Sequence, residues 1–280
     1  MLKRFLSTLV LWAVIFASLW YFGAQAAVWL TTMLAALTLH EFYGMMEKMG
    51  FRPFRWMGLL FSVLITAGPF YVSLYLTDGE EFAGLAPVLL AMAVVASAIR
   101  IVGERDNTNR VETLVSTVLG LLYVPFMLHY MVRILLLFTD PDGGLVLALW
   151  VVAVAKFCDV GALLTGLAIG KHKMAPNISP KKTWEGAVGG VLIATAVGVG
   201  IAHYAADYLP EKLTLTYAAL IAPVLAVVGI ISDLIESVLK RRADVKDTGA
   251  IIPGIGGAFD LTDSLILTAP LAYVIFLFLT

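Results

Sequence analysis

Long apolar runs, repeated along the whole chain, are the feature that most constrains how this sequence folds. They occupy residues 5–22, 24–40, 56–76, 83–101, 113–138, 145–170, 186–206, 214–235 and 264–280. About 20 apolar residues in a helix cross the hydrocarbon core of a bilayer. Because 60% of the residues are hydrophobic and only 14% are charged, a water-soluble fold could not bury this much apolar surface. The sequence therefore predicts an all-α, polytopic integral membrane protein, a helical bundle of about nine transmembrane helices.

The basic residues divide unevenly between the two sides of such a bundle. With Met1 on one side, nine crossings place every Lys and Arg on that side except Arg133, Lys156 and Lys212. Cytoplasmic loops of membrane proteins are enriched in Lys and Arg, so this pattern predicts a cytoplasmic amino terminus and an external carboxyl terminus. The first run leads directly into the second, which favours a retained helix over a cleaved signal peptide.

Polar residues concentrate in the second half of the chain. The two longest polar loops, 171–185 and 236–263, both fall on the side predicted to be cytoplasmic. We therefore interpret residues 1–140 as an N-terminal transmembrane scaffold. Residues 141–280 are interpreted as a C-terminal transmembrane region that carries the chemistry.

The tract 232–264 places acids beside two of the predicted membrane spans. Asp233 and Glu236 are three residues apart at the inner end of the eighth run, and Asp260 and Asp263 repeat this spacing before the ninth. Side chains three apart share one face of a helix, and carboxylate oxygens bind hard divalent cations. We expect a metal ion to be bound by Asp233, Asp260 and Asp263. The alternative for Asp260 or Asp263 is an N-terminal helix cap.

Cations and glycines in the same tract are suited to phosphate. Lys side chains bind phosphate oxygens, and the glycine-rich segment 254–257 would let backbone N–H groups approach an oxyanion. We expect Lys240 and Lys246 to act in this way. For Lys240 the alternative is an ion pair with Glu236 four residues earlier, and such cations also satisfy the positive-inside pattern.

Two further groups of polar residues are candidates for function. The segment 179–186 combines a proline, two lysines, two hydroxyls, a tryptophan and an acid, which indicates a clamp for a polyphosphate or a lipid headgroup. Lys156 and Asp159 lie three residues apart within the sixth apolar run. Ionisable residues inside a membrane are usually functional, and a buried ion pair is the structural alternative.

Several spaced motifs occur in order along the second half of the chain. The upstream motifs are Asp159-x-Gly161-Ala162, Gly170-Lys171-His172-Lys173, Ala175-Pro176 and Ser179-Pro180-Lys181-Lys182-Thr183-Trp184-Glu185-Gly186. The downstream motifs are Ser237-x-x-Lys240-Arg241, Lys246-Asp247, Pro253-Gly254-x-Gly256-Gly257 and Asp260-x-x-Asp263-Ser264. In this order they resemble the phosphatidate cytidylyltransferases (CDP-diacylglycerol synthases). The first half of the chain resembles them only as transmembrane sequence.

The resemblance implies transfer of a cytidylyl group from CTP to phosphatidate, which gives CDP-diacylglycerol and pyrophosphate. It implies Mg²⁺, with a second, monovalent cation left open, and a prokaryotic-type inner (plasma) membrane. Membrane lipids are expected partners, nucleic acid is not, and a homodimer is left open. The implied catalytic residues are Asp233, Asp260, Asp263, Lys240 and Lys246, of which the three aspartates bind the metal. The implied substrate-binding residues are Lys171, Lys173, Ser179, Lys181, Lys182, Thr183, Arg241 and, at the membrane end of the cleft, Asp159.

Two positions depart from the usual family pattern. Ile255 stands where the family usually has histidine, and Leu261 where it has arginine. Because the candidate ligands and lysines are all present, we expect an active enzyme. Two other classes compete with this interpretation, a CTP-dependent polyprenol or lipid kinase and a non-enzymatic lipid transporter or binding protein. A transporter would place polar groups at mid-membrane in both halves, whereas here they concentrate in one half.

Overall fold

The computed structural model describes residues 2–76, 84–104, 109–138, 141–246, 248–249 and 256–279, without the side chains of residues 2–12 and 141. Most of these residues are helical, and a short antiparallel hairpin lies between the sixth and seventh helices. The elements, in chain order, are α1 Leu2–Lys48, α2 Arg55–Leu76, α3 Leu85–Val102, α4 Arg110–Tyr123, α5 Pro125–Leu135, α6 Pro141–Ile169, β1 Lys173–Ala175, β2 Ser179–Thr183, α7 Trp184–Tyr204, α8 Leu215–Arg242 and α9 Ala258–Leu277.

Among the described residues, eight helical segments are long and apolar enough to cross a membrane. Seven of them match the predicted runs from the third to the ninth, with α4 and α5 together forming the fifth run. The first two predicted runs both lie in α1, where Gly23 has a non-helical backbone (φ 52°, ψ −130°) and kinks the helix. A positive φ of this kind is readily adopted by glycine. The prediction of an all-α polytopic membrane protein is confirmed.

The chain forms two compact units, each made of two stretches of sequence. The first comprises Met1–Leu136 and Arg242–Thr262, and the second comprises Leu137–Arg241 and Asp263–Thr280. Helix α9 therefore begins in the first unit and continues in the second. The functional division into a scaffold before residue 140 and a catalytic region after it stays a prediction.

Aromatic side chains fill the core of the first unit. Tyr43 of α1 is fully buried, and its hydroxyl donates a 2.8 Å hydrogen bond to the carbonyl oxygen of Thr117 in α4. The rings of Phe42 and Tyr123 lie 6.0 Å apart, and each packs against Phe259 in the first turn of α9. These contacts connect α1, α4 and the start of α9 within one core.

The second unit is built on the close packing of α6 with α7. Trp150 of α6 is fully buried, and its indole N–H donates a 2.8 Å hydrogen bond to the carbonyl oxygen of Gly198 in α7. The Trp150 ring also packs edge-on against Phe276 of α9, at 5.9 Å between centroids. Many outward-facing residues, such as Leu163 and Leu192, are apolar and exposed, as expected for helices surrounded by lipid.

Candidate active site

Three carboxylates from two helices converge in the second unit. Asp233 and Glu236 lie towards the end of α8, and Asp263 lies in the second turn of α9. One carboxylate oxygen from each residue lies within 4.8 Å of the other two. Glu236 and Asp263 are 1% and 7% exposed, and Asp233 is half-buried. Carboxylates this close together repel one another strongly where water is excluded, so the cluster needs cations beside it.

Two lysines meet the carboxylates of α8. Lys240 Nζ lies 2.7 Å from Glu236 Oε1, so the ion pair that was the alternative for Lys240 is present. Glu236 is nevertheless almost completely buried, unlike the acid of an ordinary surface pair. Lys182, from the hairpin, contacts Asp233 Oδ2. Each acid at the end of α8 is therefore balanced by an ammonium group.

Lys156 of α6 extends this network into the apolar part of the unit. Its Nζ lies 3.5 Å from Asp263 Oδ1 and 3.2 Å from Asp159 Oδ2, and donates to Ser264 Oγ at 2.8 Å. The Ser264 hydroxyl donates in turn to Asp159 at 3.2 Å. The intramembrane pair therefore exists and joins Asp263. Substrate binding by Asp159 stays a prediction.

The three clustered acids suit a hard divalent cation. Mg²⁺ and Ca²⁺ take oxygen ligands, and carboxylates with a neighbouring hydroxyl supply them. Of the predicted ligands, the structure brings Asp233 and Asp263 together, and Glu236 is the third acid beside them. From the sequence, Glu236 is expected mainly as an ion-pair partner of Lys240. Its three-residue spacing from Asp233 was the signal that could have identified it as a ligand.

Asp260 lies in the first unit, where it makes hydrogen bonds at the start of α9. Its Oδ2 accepts from the backbone N–H of Gly257 at 2.8 Å and lies 3.3 Å from the Thr248 hydroxyl. Gly256, just before, has φ 124°, a conformation that side-chain-bearing residues rarely adopt. Asp260 thus has the geometry of the helix cap that was its alternative role. Metal binding by Asp260 stays a prediction.

The segment 179–186 forms β2 and the first turn of α7. Strands β1 and β2 are antiparallel, with Lys173 opposite Thr183. The Thr183 side chain accepts a 3.1 Å hydrogen bond from the backbone N–H of Gly186 and caps α7. Glu185, in the same turn, accepts backbone hydrogen bonds from Lys171 and His172, both at 3.1 Å. The motif therefore holds the hairpin against the first turn of α7.

The cations of the hairpin region differ in their surroundings. Lys182 is half-buried on Asp233, whereas Lys171, Lys173 and Lys181 are exposed. Arg241, at the end of α8, donates from Nε to the carbonyl oxygen of Ile178 at 3.0 Å. This bond ties α8, which carries two of the clustered acids, to the hairpin. Phosphate binding by these cations, and by Ser179 and Thr183, stays a prediction.

Close contact between α6 and α7 requires small residues at two positions of α7. A Cβ on Gly186 would lie 2.8 Å from the carbonyl oxygen of Ala162, and one on Gly190 would lie 2.6 Å from that of Cys158. Small residues allow membrane helices to approach in this way. The glycine that ends the 179–186 segment is therefore needed for packing.

The remaining predicted positions lie after α8. Lys246 is exposed, and its role in binding phosphate stays a prediction. Gly254 and Ile255 lie outside the described residues. Leu261, the other departure from the usual pattern, is half-buried in α9.

Comparison with known proteins supports the family resemblance that the sequence motifs indicate. The chain is 37% identical over 131 residues to the phosphatidate cytidylyltransferase of Haemophilus influenzae, in an alignment that spans 47% of this chain and 46% of that relative. It is 33% identical over 193 residues to that of Bacillus subtilis, which covers 69% of each protein. It is 29% identical over 277 residues to that of a Synechocystis species, which covers 91% of this chain and 87% of the relative. Residues 2–279 match the cytidylyltransferase family model, and this chain therefore belongs to that family.

Proposed function

We propose that this protein transfers the cytidylyl group of CTP to phosphatidate and releases pyrophosphate. The observation that carries the proposal is the cluster of Asp233, Glu236 and Asp263, which is enclosed at the ends of membrane helices and balanced by lysines. The name shared by the relatives from Haemophilus, Bacillus and Synechocystis supports the same activity. The product that remains in the membrane would be CDP-diacylglycerol.

In the proposed reaction, a phosphate oxygen of phosphatidate attacks the α-phosphorus of CTP. A new P–O bond forms while the bond from the α-phosphorus to the oxygen that bridges to the β-phosphate breaks. The electron pair of that bond leaves with pyrophosphate. Since the attacking oxygen is already anionic, the protein needs no covalent intermediate. Its task is to orient two anionic substrates and to neutralise their charge.

The acids and lysines divide this task in the proposal. Asp233, Glu236 and Asp263 would hold Mg²⁺, which when bound supplies positive charge against the triphosphate. The ammonium groups of Lys182 and Lys240 already lie at the cluster, where they would also face phosphate oxygens. Ligation by Asp260 and a second, monovalent cation both stay predictions.

A groove beside the hairpin suits the lipid substrate. Its volume is about 980 Å³, and it is lined by α6, α7 and the residues that lead into β1. Lys171 and Lys173 lie at its polar end, and Ile169, Val188 and Leu192 form an apolar wall. An anionic headgroup attached to acyl chains matches both parts, so phosphatidate is proposed to dock there from the bilayer.

The cytoplasmic location of the site belongs to the same proposal. The protein is an integral membrane protein, and its named relatives are bacterial, which supports a prokaryotic inner (plasma) membrane. CTP is a cytoplasmic nucleotide, and the basic loops 171–185 and 236–263 are assigned to that side by the positive-inside rule. A homodimer stays a prediction.

Position-specific labels in CTP test the proposed reaction directly. Purified protein is supplied with phosphatidate, Mg²⁺ and CTP labelled at either the α- or the γ-phosphate. Label from the α-phosphate is expected in the lipid, and label from the γ-phosphate is expected only in pyrophosphate. Lipid that carries the γ-label would instead identify a kinase. Absence of both labels from lipid would contradict the proposal.

A further inference from the structure

Glu41 is a buried acid in the half of the chain that the sequence assigned to the scaffold. It lies in the last two turns of α1 and is 5% exposed. Its Oε1 accepts a 3.0 Å hydrogen bond from the backbone N–H of Ala258, and its Oε2 accepts one of 2.9 Å from that of Phe259. The first N–H groups of a helix have no partner within the helix. Glu41 therefore caps α9 from a helix about 217 residues away in sequence.

Thr248 places this cap next to Asp260. The Thr248 hydroxyl lies 2.9 Å from Glu41 Oε2 and 3.3 Å from Asp260 Oδ2. A hydroxyl has one proton to donate, and the shorter distance favours Glu41 as its acceptor. Asp260 Oδ2 accepts from the N–H of Gly257, the residue immediately before α9. Glu41 and Asp260 together therefore accept from three consecutive backbone N–H groups, those of Gly257, Ala258 and Phe259.

The space around the Glu41 carboxylate is filled by the segment on either side of residues 250–255. A Cβ on Gly249 or on Gly257 would collide with one of its oxygens. One helical turn earlier on α1, the hydroxyl groups of Thr38 and Thr262 lie 2.9 Å apart. One face of α1 therefore contacts both the polar first turns of α9 and Gly249 in the segment that precedes it.

A helix cap alone does not require this arrangement. A Ser or Asp immediately before α9 would satisfy its N–H groups locally, whereas this chain has glycines there and supplies the acceptor from α1. We propose that Glu41 is a positioning residue, which sets the place of Asp260 and Thr248 for CTP binding. This inference rests on the proposed cytidylyl transfer, since the tract 236–263 is the one expected to meet CTP.

The test compares Glu41→Gln with Glu47→Gln. Glu47 lies on the same helix, and its exposed carboxylate pairs with Arg55 at 3.0 Å. A glutamine at position 41 keeps the volume but turns one acceptor into an NH₂ donor that faces N–H groups. We expect Glu41→Gln to raise KM for CTP about tenfold or more, with a smaller change in KM for phosphatidate. Glu47→Gln is expected to leave both values unchanged.

Amide hydrogen exchange provides a readout that does not depend on activity. In Glu41→Gln, the amides of Ala258 and Phe259 are expected to exchange faster than in the wild type, while those in the middle of α6 keep their rates. If the wild type transfers no cytidylyl group, the proposed function fails, and faster exchange at Ala258 and Phe259 would still support the capping of α9 by Glu41. Unchanged exchange would overturn the cap itself.

Thr248→Val provides a second variant, which retains the bonds from the Glu41 carboxylate to α9 and removes the hydroxyl that lies between Glu41 and Asp260. It is expected to raise KM for CTP in the same direction as Glu41→Gln. If the wild type is active and neither variant changes KM for CTP relative to Glu47→Gln, the positioning role is overturned. Should Glu41→Gln fail to fold, the Thr248→Val result decides by the same criterion.

Discussion

At the scale of single residues, the balance of charge explains the candidate site. Asp233, Glu236 and Asp263 lie within 4.8 Å of one another through one oxygen each, with lysines beside them. Such a group is stable only while its charges compensate each other, so removal of one member leaves another uncompensated. A bound cation would relieve the same repulsion. The site is therefore sensitive both to its own charges and to those of its ligands.

Neutralising single acids tests which of them serve the reaction. Asp233→Asn and Asp263→Asn should each lower turnover by about 10²-fold or more, as when one electrostatic stabiliser is removed. The Mg²⁺ concentration that gives half-maximal rate should rise in the variants that remain measurable. Asp207→Asn, at an exposed acid in the turn after α7, is the control. If all three variants kept the turnover of the wild type, the cluster would have a purely structural role.

Two neighbouring lysines on β2 provide a matched comparison. Lys182 contacts Asp233 and is half-buried, whereas Lys181 is exposed. We expect Lys182→Met to lower kcat/KM for CTP at least about tenfold, because the Asp233 charge loses its partner. Lys181→Met should have a smaller effect, through loss of a surface cation. Steady-state rates at varied CTP measure both, and a larger loss at Lys181 would contradict the structural distinction.

At the scale of elements, the contact between α6 and α7 places the hairpin and its lysines. Gly186 and Gly190 let the two helices approach closely, and Thr183 and Glu185 then join the hairpin to the first turn of α7. Larger residues at this contact would move α7, and the hairpin would move with it. Packing between α6 and α7 therefore determines where Lys182 lies.

Alanine substitutions at two glycines of α7 distinguish this packing effect from the effect of helix propensity. Gly190→Ala would force a Cβ against Cys158 and Ala162, whereas a Cβ on Gly200 would have no neighbour within 4 Å. We expect Gly190→Ala to destabilise the protein by about 1–3 kcal/mol, the usual cost of overpacking. Gly200→Ala should be neutral or slightly stabilising. Thermal unfolding in detergent measures the difference, and equal midpoints would contradict the close contact.

At the scale of the whole molecule, the chain is an integral membrane protein whose lysines and arginines are concentrated in a few of its loops. Eight described helical segments are long and apolar enough to span a bilayer, and α1 is kinked at Gly23. The proposed reaction needs one substrate from water and one from the bilayer. The loops that carry the lysines must then face the compartment that contains CTP.

Cysteine accessibility tests this orientation. After Cys158→Ala, cysteines at Lys181 and Lys246 should react with a membrane-impermeant reagent only from the cytoplasmic side. A cysteine at Glu211, in the exposed turn between α7 and α8, should react only from outside. Cys158 itself is buried, so its removal should leave the surface unchanged. Labelling of all three positions from one side would overturn the proposed topology.

Much of the fold and part of the site could be predicted from local patterns. Apolar runs of membrane-spanning length require helices, because backbone groups in hydrocarbon must be paired within the segment. Asp233 and Asp263 were predicted as ligands, together with Asp260, because acids three residues apart share one face of a helix and carboxylate oxygens bind divalent cations. The β1–β2 hairpin was not predicted, because its strands are short and their alternation is weak.

Hydropathy and the spacing of residues along one helix were sufficient to predict the membrane class, the helical fold and the segments in which acids and lysines concentrate. The contacts between separate helices are known only from the folded structure. It placed Glu236 with Asp233 and Asp263, put Asp260 in a capping role, and brought Glu41 to the start of α9. This difference arises because periodicity shows only which residues share a face of one helix, whereas the partners of that face are set by packing between segments that are distant in sequence.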